Sequence, residues 1–193
     1  MRPRIFLLVL LLAPPALAES TVEEVLKRDF HARGQATMER VVQDGVQRVC
    51  TESRDRPPAA LAKALEADQM KTIVYPDGSL IGDWKRGERL AQSGQGATWS
   101  DKPGTAGGSC YNCHQLSPRE SSFGTIGPSL RDFGKSRGSG ADVQRYVYGK
   151  IYNAKAHNLC SQMPRLGYSG TLTAQQITDL VALLLDPASP VNQ

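Results

Sequence analysis

The chain has 193 residues, of which 40% are hydrophobic and 22% charged, with a formal net charge of +4. Those proportions are ordinary for a globular protein, and the length suits one domain with an extension. The charge is too mild to point to nucleic acid, and no basic run concentrates it.

The first residues read as an export signal. Met1 to Arg4 carry two positive charges, Ile5 to Ala13 are apolar, Pro14 and Pro15 break any helix, and Ala16-Leu17-Ala18 forms a small-residue cleavage site. The apolar run is shorter than the roughly 20 residues that span a bilayer. Residues 1–18 are therefore expected to be a signal peptide cut after Ala18, leaving a mature chain that starts at Glu19 in the periplasm. No cysteine follows the cut, so the expectation is a protein without a membrane anchor. Such a compartment is oxidising, which favours disulfides between spare cysteines.

Residues 19–78 carry helical periodicity and no cofactor signature. Met38, Val41, Val42, Val46 and Val49 form a helical stripe, with Cys50 close to the same face. Pro57-Pro58 interrupts it, Leu61, Ala64 and Leu65 start a second helix, and Tyr75-Pro76-Asp77-Gly78 reads as a turn. A helical N-terminal extension is expected here.

A second region, 79–193, opens with Gly82 to Ala91, similar to the first helix of small c-type cytochromes, with Trp84 as its aromatic packing residue. Ser93 to Gly108 is rich in Gly, Ser and Thr and predicts a long loop. Then comes Cys110-Tyr111-Asn112-Cys113-His114, the spacing by which a chain attaches haem c. Two thiols two residues apart reach the two vinyl groups of one porphyrin, and the next residue places an imidazole under the iron. A thioredoxin-like dithiol would want a βαβ context, and a zinc site would want a second Cys/His pair; neither surrounds this motif. Gly124 to Leu130 resembles the Gly-Pro-x-Leu segment of small cytochromes, in which the proline carbonyl, here that of Pro128, orients the proximal imidazole.

Val143, Tyr146, Val147, Lys150 and Ile151 predict a helix with one apolar face. The last helix has clearer signals. Thr173 and Gln176 form a capping-box pattern, Ile177, Leu180, Val181 and Leu184 share a face, and Asp186-Pro187 ends it.

An electron-carrying haem needs a second axial ligand besides His114. Met163 is the foremost candidate, since it precedes the last helix in the loop expected to cross the distal face, and Met163-Pro164 resembles the cytochrome ligand dipeptide. His157 and Cys160 lie in the same loop as alternatives. Cys50 and Cys160 are the cysteines the haem motif leaves over, and an oxidising compartment favours a bridge between them. A reactive thiol at Cys160 and thiolate ligation to iron are the competing readings.

The segments Lys150 to Asn153, Asn158 to Gly167, Leu172-Thr173 and Leu183 to Pro187 resemble the SoxX subunit of the SoxAX sulfur-oxidation cytochromes, over about residues 79–193. This resemblance implies a mainly α chain, a class I-like single-haem cytochrome c domain behind an N-terminal helical extension. It also implies that the chain is the electron-transfer subunit of an L-cysteine S-thiosulfotransferase. A SoxA-like haem subunit would be the partner and hold the catalytic centre, a SoxYZ-like carrier would receive thiosulfate on a cysteine, and a c-type cytochrome would accept the electrons. No catalytic residue is expected in this chain. A free-standing electron carrier is the alternative. A haem sensor or peroxidase would need an open distal position, which Met163 argues against.

Overall fold

The computed structural model describes residues 21–96, 98–102 and 106–193. The signal-peptide reading of residues 1–18 lies outside the described residues. These are mainly α-helical, joined by loops and short 3-10 turns. Among them extended pairing is limited to an isolated bridge between Arg33 and Ala36. The expected mainly α class is what the chain adopts.

Two compact units divide the chain, residues 1–31 and 32–193. In the first, α1 (Val22–Asp29) starts at a complete capping box: the Thr21 hydroxyl accepts from the Glu24 N–H, and the Glu24 carboxylate accepts from the Thr21 N–H. Glu23 and Glu24 in its first turn and Lys27 and Arg28 in its last complement the helix dipole. It buries no residue.

The second unit holds α2 (Gly45–Glu52), α3 (Ala59–Lys71), α4 (Trp84–Gln92), α5 (Phe133–Arg137), α6 (Ala141–Tyr152) and α7 (Ala174–Leu185). The central element is α7. The Thr173 hydroxyl accepts from the Gln176 N–H while the Gln176 amide oxygen accepts from the Thr173 N–H, so the capping box read from sequence is present on both sides. Every residue from Ile177 to Leu185 is buried, not only the expected apolar face, as befits a helix enclosed on all sides. At its C-terminal end the unpaired carbonyls are taken up by the tail. The Ser189 hydroxyl donates to Leu183 O, and the Asn192 amide donates to Leu184 O and Asp186 O. The Asn192 oxygen also accepts from Gly134 N at the start of α5.

Helix α4 crosses α7 at backbone contact, and Gly87 is the reason it can. A Cβ built at Gly87 would stand 2.2 Å from the Asp179 carbonyl oxygen, so only glycine admits this approach. The same crossing carries an ion pair. Arg86 donates from Nε and Nη2 to the buried Asp179 carboxylate, at 2.8 Å each, and the Asp83 N–H adds a third bond to it at 2.8 Å. Burial alone would push the Asp179 carboxyl up, but these donors and the Gln175 amide hold it below the usual carboxylate range. Trp84 packs half-buried against the core, and α6 adds Val147, Tyr148 and Ile151 to it.

One sequence reading differs from the structure. The stripe from Met38 to Val49 is not one helix: a 3-10 turn covers Met38–Arg40, and α2 starts only at Gly45. Asp44 is the cause, because its carboxylate accepts from the Gln47 N–H and starts a new helix there. Residues 32–78 share one compact unit with 79–193. Ile73 is part of the buried core, Tyr148 donates its hydroxyl to Val74 O at 3.1 Å, and Asn153, fully buried, donates to Gln69 and Thr72 of the α3 end.

Candidate functional site

The segment from Gly107 to Leu130 is laced to its surroundings through backbone bonds. Upstream, the N–H groups of Gly107, Gly108 and Ser109 donate to Gln95 O, Leu90 O and Ser93 O, which ties the segment to the end of α4. Ser109 adopts a left-handed conformation (φ 49°), sparsely populated for a residue with a Cβ, and turns the chain into a 3-10 turn at Cys110–Asn112. The N–H groups of Cys113 and His114 both donate to Cys110 O, which gives the tight turn that two intervening residues allow. Downstream, Gly124, Gly127 and Leu130 donate to Tyr111 O, Cys113 O and Gln115 O, so residues 124–130 run back along the motif.

That return brings Pro128 to His114. The imidazole Nδ1 lies 2.6 Å from the Pro128 carbonyl oxygen. A carbonyl only accepts, so Nδ1 carries the proton and Nε2 keeps its lone pair free to ligate a metal. Gly127 makes room for the ring, since a Cβ there would stand 2.2 Å from His114 Cε1 and 2.6 Å from Nδ1.

Cys110 and Cys113 are both free of a disulfide and half-buried. Burial pushes the Cys110 thiol up to about 11, with the neighbouring Cys113 adding to the effect. A redox-active dithiol needs the opposite, a thiol whose pKa is lowered towards neutrality. The Cys110 thiol is thus shifted away from what such exchange favours. Two thiols and a tautomer-fixed imidazole on one tight turn fit a haem held by two thioethers and one axial nitrogen.

Met163 sits half-buried in the loop between α6 and α7, with its side chain packed against the core. His157 lies earlier in that loop, its ring edge-on to Tyr146 at 5.0 Å between centroids. Its Nε2 is buried without a hydrogen-bond partner, and burial with nearby Lys150 keeps its pKa below the usual range. Cys160 is joined to Cys50 of α2 by a disulfide, with Cα atoms 5.4 Å apart. That bond removes Cys160 both as a free thiol and as an iron ligand. The Asp55 carboxylate stands beside the two sulfurs, but sulfurs committed to each other leave no metal site there.

Sequence reasoning missed the groups that hold this loop. Lys155, 6% exposed, donates from Nζ to Leu159 O at 3.0 Å and Ser161 O at 3.4 Å, and burial lowers its pKa. The Glu66 carboxylate of α3 accepts from Leu159 N at 2.9 Å. Arg165 stacks over Tyr168 and pairs with Asp44. Glu66 and Asp44 are remote in sequence from the loop residues they hold and follow no periodicity, and for the local Lys155 and Arg165 contacts the one prior signal was the presence of ionisable residues in a stretch rich in apolar ones.

No family model matches the chain. Among solved structures, SoxXA from P. pantotrophus is similar at 27% identity, covering 61% of this chain and 95% of that one with a TM-score of 0.42. An uncharacterized lipoprotein of Aquifex aeolicus (strain VF5) is 41% identical over 155 residues, 78% of this chain and 73% of that protein. Its name corrects one expectation, that of a periplasmic protein without a membrane anchor. The expectation rested on the short apolar run and on the lack of a cysteine after the cut at Ala18; a short run bears on a polypeptide span only, and a lipoprotein holds to its membrane through acyl chains instead. By the extent and identity of this match, the chain belongs to the same family as the Aquifex aeolicus lipoprotein.

Proposed function

We propose that this chain is a monohaem c-type cytochrome that serves as the electron-transfer subunit of a SoxAX-type complex. The observation that carries the haem reading is the bond from His114 Nδ1 to the Pro128 carbonyl, on the same turn that presents Cys110 and Cys113. Cys110 and Cys113 would hold the macrocycle through thioethers, and His114 Nε2 and Met163 Sδ would be the axial ligands. Bound there, haem would supply reversible one-electron transfer.

The residues of the chain then do three things. The Pro128 carbonyl fixes the imidazole tautomer and ring orientation, which keeps His114 a strong donor. Gly127 keeps the ring seated by leaving no side chain in its place. Phe123 and Ile126, 39% and 81% exposed next to the motif, offer apolar surface to a flat apolar group or to a partner.

The resemblance of residues 150–187 to SoxX supports the specific role: electrons released when thiosulfate is joined to a carrier cysteine on a SoxYZ-like protein, at a SoxA-like haem subunit, pass through this chain to an acceptor cytochrome. Assaying the isolated chain, its haem-containing partner and their mixture tests this. The expected result is thiosulfate coupling by the mixture, none by the isolated chain, and a slower rate with Met163→Ala. Turnover by the isolated chain would place catalysis here, and failure to bind any such partner would leave a free-standing carrier.

A further inference from the structure

The four residues Ser161, Gln162, Met163 and Pro164 make only short-range hydrogen bonds of their own. Met163 N donates to the Ser161 hydroxyl, Ser161 N donates to Asn158 O, and Lys155 reaches Ser161 O. What fixes this stretch in space lies at its two ends, and both ends meet the same helix. Cys160 is bonded to Cys50 within α2, and Arg165 is paired with Asp44, the residue that caps α2. The order is reversed between the two: the earlier loop residue meets the later helix residue. Helix α2 therefore lies antiparallel along the stretch, gripping it three residues before Met163 and two residues after.

Each grip has one protected partner, while the Asp44 side chain that meets Arg165 is 37% exposed. Cys50 is 4% exposed and the Arg165 side chain 14%. A polar recess of about 190 Å³ lies between α2 and the stretch, with Gln47, Thr51, Met163 and Arg165 on its walls. Met163 and α2 thus line opposite walls of one recess.

We infer that α2 is a two-point clamp that positions the Met163 sulfur, with the Cys50–Cys160 disulfide and the Asp44–Arg165 ion pair as its positioning groups. The inference rests on the reading of Met163 as axial ligand, but the clamp itself is a property of the polypeptide. It gives residues 44–50, which carry no cofactor motif, a function at the site. It also makes distal ligation sensitive to thiol reductants, because cleaving the bridge releases the upstream grip while the iron's other ligand, His114, keeps its own anchor on Pro128.

The test uses the full haem-loaded chain and two independent perturbations. Asp44→Asn keeps an amide oxygen to cap α2 and removes the charge that holds Arg165; Asp44→Glu restores the charge. Cys50→Ala/Cys160→Ala removes the bridge, and a water-soluble phosphine applied to the folded wild type does so without any need to refold. Hydrogen–deuterium exchange of residues 158–168 and the near-infrared absorption band of a thioether-ligated ferric haem are the readouts. Each perturbation is expected to speed exchange of this stretch about tenfold relative to α7, the scale of one lost charge-assisted hydrogen bond, and to weaken the band. Asp44→Glu should recover both. Unchanged exchange and an unchanged band under both perturbations overturn the clamp. If the wild type lacks the band, Met163 ligation fails, and exchange alone decides: faster exchange upholds the clamp and wild-type exchange refutes it.

Discussion

Replacing Gly87 by alanine tests the crossing of α4 and α7 around which the core is built. At most mid-helix positions this change stabilises, by about 1 kcal/mol, because alanine restricts the unfolded chain and favours helix. Here the new Cβ would stand 2.2 Å from Asp179 O, 2.7 Å from Asp179 C and 3.1 Å from Leu183 Cβ. Two of those three atoms are backbone and cannot rotate away, so α4 and α7 must part by roughly 1 Å to reach ordinary contact. Overpacking of this kind costs about 1–3 kcal/mol, and a gap along the rest of the crossing forfeits further dispersion contacts. The Arg86 bonds to Asp179 span the same crossing and lengthen with it. The clash outweighs the propensity gain, for a net loss of about 2 kcal/mol, or a fall in Tm of roughly 4–8 °C for a chain of this size. Thermal and urea unfolding followed by far-ultraviolet circular dichroism measure it. Gly45→Ala is the control, because nothing lies within 4 Å of a Cβ there and stability should hold or rise slightly. A Gly87→Ala protein as stable as the wild type would refute the close crossing.

Asp179→Asn should change the pH dependence of stability as well as its size. The folded carboxyl is held low, so its contribution is present above the unfolded value of about 3.9 and is lost as pH falls through that value towards the folded one. The variant is expected to be less stable at neutral pH and to show a flatter acid limb; a wild-type slope below about pH 4 contradicts this. Gly127→Ala should push the His114 ring off Pro128, read as loss of the hydrogen-bonded Nδ1–H proton resonance while both thioethers remain. An unaltered resonance would show that the ring is not seated where the structure has it.

How far the sequence could be read depended on whether a feature was local. The capping box at Thr173 and the buried face of α7 use contacts within four residues, and both stand in the structure. The turn Cys110–Asn112 follows from the motif spacing, and the Pro128 carbonyl was foreseen only through a cytochrome-like segment. The contacts that join residues 32–78 to the rest were not legible, because they are single and long-range. Asn153 to Gln69, Tyr148 to Val74 and Glu66 to Leu159 leave no periodic trace. Gly87 and Asp179 were likewise invisible as a pair. A glycine in a helix and an aspartate in an apolar one each look unfavourable alone, and only the crossing explains them together. At Met38 to Val49 the apolar spacing suggested one helix, but Asp44 followed by Gly45 restarts it, a local capping effect that hydrophobic period does not register.

The central claim is that Cys110, Cys113 and His114 hold one haem covalently. The most direct measurement is the intact mass and acid–acetone partition of the chain produced with a cytochrome c maturation system, beside a Cys110→Ser/Cys113→Ser variant. The account predicts that the wild-type chain gains the mass of one haem and keeps its colour on the polypeptide, and that the variant does neither. Colour that partitions into the solvent, or a wild-type chain at its unmodified mass, would contradict it.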